Sequence, residues 1–450
     1  MSAREKADAV YETLLSRAGE RWVQPRKERT ARILAYLDDP QRTYRVVHIT
    51  GTNGKTSTAR MIESLLRAHG LRTGLFTSPH LERFTERIMI DGEPIEDSAV
   101  ADAWDEISPF VEIVDAELEA AGEEPLTFFE LLTVLAFVAV ADAPVDVLVL
   151  EVGMGGEWDS TNTADGDVAV FAPIDIDHAD RLGGTIAEIA TVKAGIIKEG
   201  AAVVSAQQPA EAADVLRRVA AEKSATIAFE GEEFGLAEQK LAVGGQLLTI
   251  RGLAAAYVEE YLPQYGAHQG HNAALAVAAV ESLIGGGAQP IAADIISEGL
   301  QGATSPGRLQ LLGVAPTVIV DAAHNPHGAA ALVQAMDDSF DFDEWGVVLG
   351  VLADKDAAGI VATLAPASAH VFATAPESDR ASDADLIADL VEATGQRATV
   401  HPTLAEAADA AREWAASSDR RAVVIAGSVV LAGEAITLAE AEVWQSGWRA

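Results

Sequence analysis

The segment Val46-Val47-His48-Ile49-Thr50-Gly51-Thr52-Asn53-Gly54-Lys55-Thr56-Ser57 decides how the rest of the chain is read. Val46 to Thr50 form a strand candidate rich in β-branched residues. Glycines at 51 and 54 then permit a tight turn in which successive N–H groups face a phosphate. Met61, Ile62, Leu65 and Leu66 recur at helical spacing, which predicts a helix from Thr56 to about His69 with Gly70 as its C′ residue. The start of that helix adds partial positive charge at the same point. Lys55 brings a mobile cation to the β- and γ-phosphates, and the Thr56 hydroxyl reaches a magnesium ion. The general P-loop carries a glycine where this chain has Ile49, so Gly51, Thr52, Asn53, Gly54, Lys55, Thr56 and Ser57 form a shortened nucleotide-binding variant.

The strand–loop–helix pattern continues outward. Leu75-Phe76-Thr77 is a second strand, ended by Ser78-Pro79. Val145 to Val152 is a near-continuous apolar strand, as a parallel sheet covered on both faces requires. Val168 to Ile174 and Ala201 to Ser205 read alike. The first 45 residues are expected to be helical, with amphipathic stretches around Ala9, Leu14 and Leu15 and at Ala31 to Leu37. Residues 224 to 262 suggest a small β insertion, followed by an alanine-faced helix from about His271 to Leu283. Gly302 to Gly307 is the best boundary, and beyond it strands at Thr317–Val320, Trp345–Val351, His370–Ala373 and Ala422–Ala426 alternate with helices. The expectation is an α/β protein of two domains. Residues 1–303 form a P-loop ATPase domain with a mostly parallel sheet and a small β insertion. Residues 304–450 form a Rossmann-like α/β domain.

Composition narrows the partners. The 450 residues carry a formal charge of −37 and are 49% hydrophobic, typical of globular chains. So acidic a surface argues against nucleic acid and anionic membranes as partners. There are no cysteines, which excludes disulfides, thiolate nucleophiles and cysteine-ligated metals. The N-terminus lacks the apolar core of a signal peptide, and the longest mostly apolar run, Leu131 to Ala141, is too short to span a bilayer. A cytoplasmic location is expected. Eight of the 32 basic residues are lysines, and Lys55 and Lys193 fall in site motifs. The chain is therefore expected to gather its few cations in a locally positive interdomain cleft.

Further blocks follow the loop in order. They are Thr77-Ser78-Pro79-His80-Leu81, Thr127-Phe128-Phe129-Glu130, Glu151-Val152-Gly153-Met154-Gly155-Gly156 with Asp159, Asp177-His178, and Lys193-Ala194-Gly195-Ile196-Ile197-Lys198. Later come His268-Gln269 with Asn272, Pro306-Gly307-Arg308, Asp321-Ala322-Ala323-His324-Asn325-Pro326, Asp354-Lys355-Asp356 and Gly427-Ser428. In this order, with the short GTNGKTS loop, the chain closely resembles the bifunctional dihydrofolate synthase/folylpolyglutamate synthase family of the Mur ligase superfamily. Glu151 can also be read directly, because a carboxylate ending a parallel strand is a natural oxygen ligand for Mg²⁺.

The resemblance implies an ATP-dependent amide ligase that adds L-glutamate to dihydropteroate or to reduced folate (poly)glutamates through an acyl phosphate. It implies ATP as co-substrate, two Mg²⁺ ions, and a monomer. Thr56, Ser78 and Glu151 would hold one metal, and His178 a second. Lys193 would be carbamylated, which needs a neutral amine. Asn272 would contact adenine, Asp321 the ribose, and Arg308 and His324 the phosphates. Lys55, Lys193, His178 and Arg308 would be catalytic. Thr127, Phe128, Phe129, Glu130, Trp158, Asp159 and Ser160 would hold the pterin, with one of the two phenylalanines facing inward. Two departures stand out: Glu157 replaces the arginine most members carry, and Asp180-Arg181-Leu182-Gly183 matches the family loop only loosely. Two other readings are a peptidoglycan-precursor amino-acid ligase and a non-catalytic P-loop module. The first carries a UDP-binding domain before its loop, whereas 50 residues precede Gly51. The second gives no reason for Glu151, His178 and Lys193 to recur in ligase order.

Overall fold

Alternation of apolar side chains places the first strand at the centre of a covered sheet. In a computed structural model, which describes residues 1–19, 26–442 and 444, β1 (Arg45–Thr50) sends Val47 and Ile49 to one face and Val46 to the other. Met61, Ile62, Leu65 and Leu66 of the Lys55–Ala68 helix cover the first face. The Phe128–Asp142 helix covers the second and is buried nearly all round, as a helix apolar on every side must be. That helix contains the apolar run Leu131–Ala141, and among the described residues no helix is long and apolar enough to cross a membrane.

The chain continues through β2 (Thr73–Phe76), β3 (Ile88–Ile90), β4 (Glu93–Pro94), β5 (Val147–Glu151), β6 (Val168–Phe171), β7 (Ala202–Ser205) and β8 (Thr226–Phe229). Their order across the sheet is β4-β3-β2-β5-β1-β6-β7-β8, with the β2–β3 and β3–β4 pairings antiparallel and the rest parallel. The β insertion starts later than its sequence suggests. Residues 226–229 follow the Ala210–Glu222 helix in a crossover and pair in parallel with β7. Only β9 (Gly235–Ala242), β10 (Gly245–Arg251) and β11 (Ala256–Leu262) form the separate antiparallel sheet. The Ala267–Gly285 helix follows, its alanines buried against the Lys55–Ala68 helix. Glu281 on it is fully buried and accepts hydrogen bonds from the Tyr257 hydroxyl at 2.7 Å and the Leu253 N–H at 2.5 Å, tying the small sheet down. At the N-terminus the helices are Ala3–Leu15 and Glu28–Tyr36; the helical expectation for residues 20–25 lies outside the described residues.

A second sheet comprises β12 (Gln310–Val314), β13 (Thr317–Val320), β14 (Glu344–Leu349), β15 (His370–Ala373), β16 (Ala398–Val400) and β17 (Arg421–Ala426), in the order β12-β13-β17-β14-β15-β16. It is parallel except for β12, which forms a hairpin with β13. The expected α/β architecture is present, with an antiparallel edge strand and a short, largely exposed β16 that periodicity did not reveal. The residues that follow β1, β5 and β6 (Gly51, Val152, Pro173) and those that follow β13 and β17 (Asp321, Ser428) line one shared cleft. The carboxyl ends of both sheets therefore face each other, where open α/β sheets gather ligands.

His48 lies in β1 with no exposure, its Nε2 2.9 Å from Thr161 Oγ1. Burial, helped by the Lys198 charge, pushes it down to about 3. The unfolded chain therefore binds a proton between pH 6.5 and 3 that the folded chain refuses, so stability is full above pH 6.5 and falls as pH drops below it. This residue alone should remove about 1.4 kcal/mol per pH unit over that range. Urea denaturation at pH 7.5, 6.5 and 5.5 should show a shallower acid slope in His48→Gln than in the parent. Equal slopes would refute this assignment.

Candidate active site

Residues Gly51 to Ser57 line a cleft of about 730 Å³ between the two sheets. Two glycines are required there by space. A Cβ on Gly51 would stand 2.7 Å from the Ala172 Cβ, and one on Gly54 2.7 Å from Asn272 Oδ1. Gly54 also has φ +84°, a left-handed conformation in which other residues are strained. Asn272, on the Ala267–Gly285 helix, therefore packs directly on the loop, and Gln269 Oε1 accepts its Nδ2–H at 3.0 Å. Thr52 exchanges hydrogen bonds with the Asp175 backbone at 3.0 Å, which ties the loop to the end of β6. Asn53 Nδ2 is buried with no hydrogen-bond partner, while Asn53 Oδ1 accepts from Asn325 Nδ2 across the cleft at 3.3 Å.

Two lysines share one acceptor. Lys55 Nζ donates to the carbonyls of Gly51 (3.2 Å) and Thr52 (3.1 Å), and Lys193 Nζ donates to Gly51 at 2.8 Å. Burial and then the Lys55 charge push the Lys193 amine down to about 7, against the pull of Asp177 and Asp159. A neutral amine is thus accessible near physiological pH. Burial also lowers Lys55; Glu151 and Asp177 oppose that shift, and Arg308 and Lys355 add to it.

Two of the oxygen donors expected at a metal, Thr56 and Glu151, meet, with the Ser78 backbone beside them. Thr56 Oγ1 lies 3.0 Å from both oxygens of Glu151, and the Ser78 N–H points at Glu151 Oε2 from 3.4 Å. Glu151 is 1% exposed, and burial raises its carboxyl despite Lys55, Thr56, Ser78 and Arg308. A cation beside it would restore the anion. Among the described residues no group of three or more His, Cys, Asp or Glu side chains forms a metal cage. One carboxylate with hydroxyls, completed by water and phosphate, is the ligand set Mg²⁺ prefers.

His178 lines the same cleft, in a left-handed conformation (φ +49°) that a side-chain-bearing residue adopts only under constraint. Burial lowers its pKa against the pull of Asp177, whose Oδ2 lies 3.8 Å from Nε2, and Lys355, Lys55 and Lys193 lower it further.

From the second sheet come Arg308, Asp321 and His324. Asp321 accepts the N–H groups of Leu309 (3.0 Å) and Ala323 (2.8 Å), which holds the Arg308 loop against the end of β13. His324 Nδ1 lies 2.9 Å from the Ala322 carbonyl, so Nδ1 carries the proton. Burial first, then Lys355 and Arg308, push the ring down to about 4. Its Nε2 is therefore a hydrogen-bond acceptor at neutral pH, which suits an incoming amine better than a phosphate oxygen.

At the other end lie Thr127, Phe129, Glu130, Trp158, Asp159 and Ser160. Several also have structural partners. Thr127 and Glu130 form a reciprocal capping box on the Phe128–Asp142 helix. Asp159 accepts from the Met154 N–H at 2.9 Å and from Thr161, and Ser160 Oγ accepts from Thr30 Oγ1 at 3.2 Å. The expectation for Phe128 needs correction: it does not line the cleft. Successive helical residues diverge by about 100°, and Phe128 turns into the core at 3% exposure, edge-on to Tyr11, while Phe129 faces the cleft. A Cβ on Gly153 would collide with the Phe129 ring, so that glycine makes room for it. Glu157 is exposed and does not line the cleft, although its neighbours Gly155 and Trp158 do.

Sequence reasoning gave no role to Asp177, Lys355, Arg181 or Arg26, all of which line the cleft. Lys355 stands in Asp354-Lys355-Asp356 and is one of only eight lysines, and that scarcity is the signal that marks it. Among the described residues, eight basic side chains line the cleft with seven acidic ones, so the cleft is slightly positive within a chain of charge −37.

The two phenylalanines should separate in solution. Phe128→Ala should lower the unfolding free energy by about 3 kcal/mol or more, as for core aromatics generally. Phe129→Ala should cost less than half as much. Chemical denaturation of both variants reads this directly, and equal losses would reject the assignment of Phe128 to the core and Phe129 to the cleft.

Comparison with known proteins agrees with this arrangement. The Mur ligase middle domain matches residues 49–280, and the Mur ligase glutamate ligase domain matches residues 307–429. The dihydrofolate synthase/folylpolyglutamate synthase of Mycobacterium tuberculosis is 43% identical over 447 residues, covering 93% of this chain and 92% of its own. That of Bacillus subtilis is 35% identical over 334 residues, covering 74% and 77%. Among solved structures, M. tuberculosis folylpolyglutamate synthase complexed with ADP superposes with a TM-score of 0.92 at 42% identity, covering 97% of this chain and 99% of that one. E. coli FolC in complex with DHPP and ADP gives 0.83 at 29% identity, covering 97% and 98%. With the shortened P-loop, the paired lysines and both ligase domains in place, this chain belongs to the dihydrofolate synthase/folylpolyglutamate synthase family of Mur ligases.

Proposed function

We propose that this chain joins L-glutamate to dihydropteroate, to reduced folate (poly)glutamates, or to both, consuming ATP and releasing ADP and phosphate. The observation that carries this reading is the single cleft, which runs from the Gly51–Ser57 loop to Phe129 and Trp158 and is closed from the far side by Arg308, His324 and Lys355. Nucleotide, acceptor and amino acid can meet there without leaving it. We also propose a division into units of residues 1–303 and 304–450, supported by the separation of the two large sheets.

In this reading the backbone N–H groups of the loop and the Lys55 ammonium hold the β- and γ-phosphates. Lys55 leaves the Gly51 and Thr52 carbonyls to do so. Asn272 lies against the loop where the adenine would rest, and Asp321 approaches the ribose. Thr56, Ser78 and Glu151 would hold one magnesium ion, and His178, with Lys193 once carbamylated, a second. Magnesium there supplies charge neutralisation and orientation for the transferring phosphoryl group. The acceptor carboxylate, set between Phe129 and Trp158 at its ring end, attacks the γ-phosphorus in line, and ADP leaves as the acyl phosphate forms. Arg308 neutralises charge that develops on the transferring oxygens. The α-amine of glutamate then attacks the acyl carbon, with His324 Nε2 accepting a hydrogen bond from it and Lys355 supplying a cation for its carboxylates. The tetrahedral intermediate collapses to amide and phosphate. Positioning inside a partly enclosed cleft does most of this work, and no protein nucleophile is needed.

We also propose that the chain acts as a monomer and in the cytoplasm. Purified protein with MgATP and glutamate should release ADP on addition of dihydropteroate or tetrahydrofolate. Lys55→Ala and Arg308→Ala should each lower that turnover by about 100-fold or more, with circular dichroism unchanged. If neither acceptor raises ADP release above background, the folate assignment fails.

A further inference from the structure

The loop that carries Ser78 is anchored at both ends, and the second anchor lies in the other sheet's layer. At its start, Thr77 N–H donates to the Arg87 carbonyl at 2.9 Å and Ser78 N–H points at Glu151. Three residues later the backbone turns around one carboxylate. Glu86 accepts the N–H groups of Leu81 (2.9 Å), Glu82 (3.0 Å) and Arg83 (2.6 Å). Arg87 Nε donates to His80 Nδ1 at 2.8 Å, so the segment between the anchors has little slack.

Leu81 is seated in the second unit. Its side chain packs against the core cluster that holds Val320, Ala322, Leu431 and Ala435. Its backbone lies directly on the Val429–Ala441 helix at Gly433, where a Cβ would overlap the Leu81 carbonyl oxygen. A glycine inside a helix disfavours the helix relative to alanine, and the approach of Leu81 supplies the reason for one here. Gly307, at φ +69°, closes the seat from the other side; a Cβ there would lie 3.1 Å from Leu81 Cδ2. Beside the seat, Thr437 Oγ1 donates to Glu82 Oε1 at 2.6 Å.

From these contacts we infer that Leu81 is a positioning residue for the metal end of the cleft: its seat between Gly307 and Gly433 fixes the loop whose Ser78 N–H points at Glu151. The distance involved is short. Three residues span at most about 10 Å, so a shift of the seat passes to Ser78 rather than being absorbed by the loop. Docking of the second unit on Leu81 thus adds to the first-unit anchors that keep Ser78 at Glu151. The inference rests on the proposed metal role of Ser78, but not on the identity of the acceptor.

Calorimetric titration of the full-length chain with a non-hydrolysable ATP analogue, with and without Mg²⁺, tests this without turnover. In the parent, Mg²⁺ should tighten analogue binding. Leu81→Ala should lose at least fivefold of that tightening, read as the ratio of affinities with and without Mg²⁺, in which any loss through the Arg308 loop beside Gly307 cancels. Leu81→Met, which refills the seat, should restore the tightening to within twofold. Gly433→Ala should behave like Leu81→Ala; if it does not fold, as judged by thermal melting, the two Leu81 variants decide. A Leu81→Ala protein that keeps the full Mg²⁺-linked tightening overturns the inference, as does a parent in which Mg²⁺ changes nothing. A chain that passes this test yet releases no ADP with any folate acceptor would lose the folate assignment and keep the positioning role.

Discussion

Two lysine amines converge on one carbonyl oxygen, that of Gly51, and the state of the site follows from this crowding. Lys193 reaches it at 2.8 Å and Lys55 at 3.2 Å. Both amines are buried, which lowers both, and the Lys55 charge lowers Lys193 further. Lys55, at the first turn of its own helix, can swing to a phosphate. The Gly51 carbonyl can be reached by both because β1 ends against β5 and β6, at the centre of the sheet where the chain switches sides. Without the β1 strand and its two obligatory glycines, neither lysine would have this partner.

Charge shows the same economy on a larger scale. A chain of net charge −37 holds a cleft whose lining is slightly positive, because basic residues are gathered there out of proportion to their number. Buried acids in the cleft, Glu151, Asp159 and Asp321, are each raised by desolvation and tied by hydrogen bonds, which limits the repulsion they present to an anion. The acidic surface governs long-range encounter, while the cleft governs what is retained at short range.

The fold was largely legible from strand endings. Val46–Thr50, Val145–Val152 and Val168–Ile174 read as buried parallel strands because both faces are covered and nearly every position is apolar. What escaped were elements with little burial signal. Gln310–Val314 and Ala398–Val400 are edge strands, and Thr226–Phe229 is short enough to be taken for part of the insertion. The candidate site was legible where a motif has a backbone reason, as at Gly51, Gly54 and Glu151. It was less legible where two neighbours diverge, as at Phe128 and Phe129. It was not legible at Lys355, whose place in the cleft depends on how the two sheets face each other.

By itself the sequence determined the phosphate loop, the alternation of strands and helices and the order of the ligase blocks, because each depends on residues within a few turns of one another. Only the tertiary structure decided that Lys193 would reach the Gly51 carbonyl, which Lys55 also holds, from 142 residues away, that His324 would be held neutral, and that Leu81 would seat in the opposite unit. Those outcomes depend on burial and on the approach of distant segments, and desolvation and close contact exist only once the chain has packed.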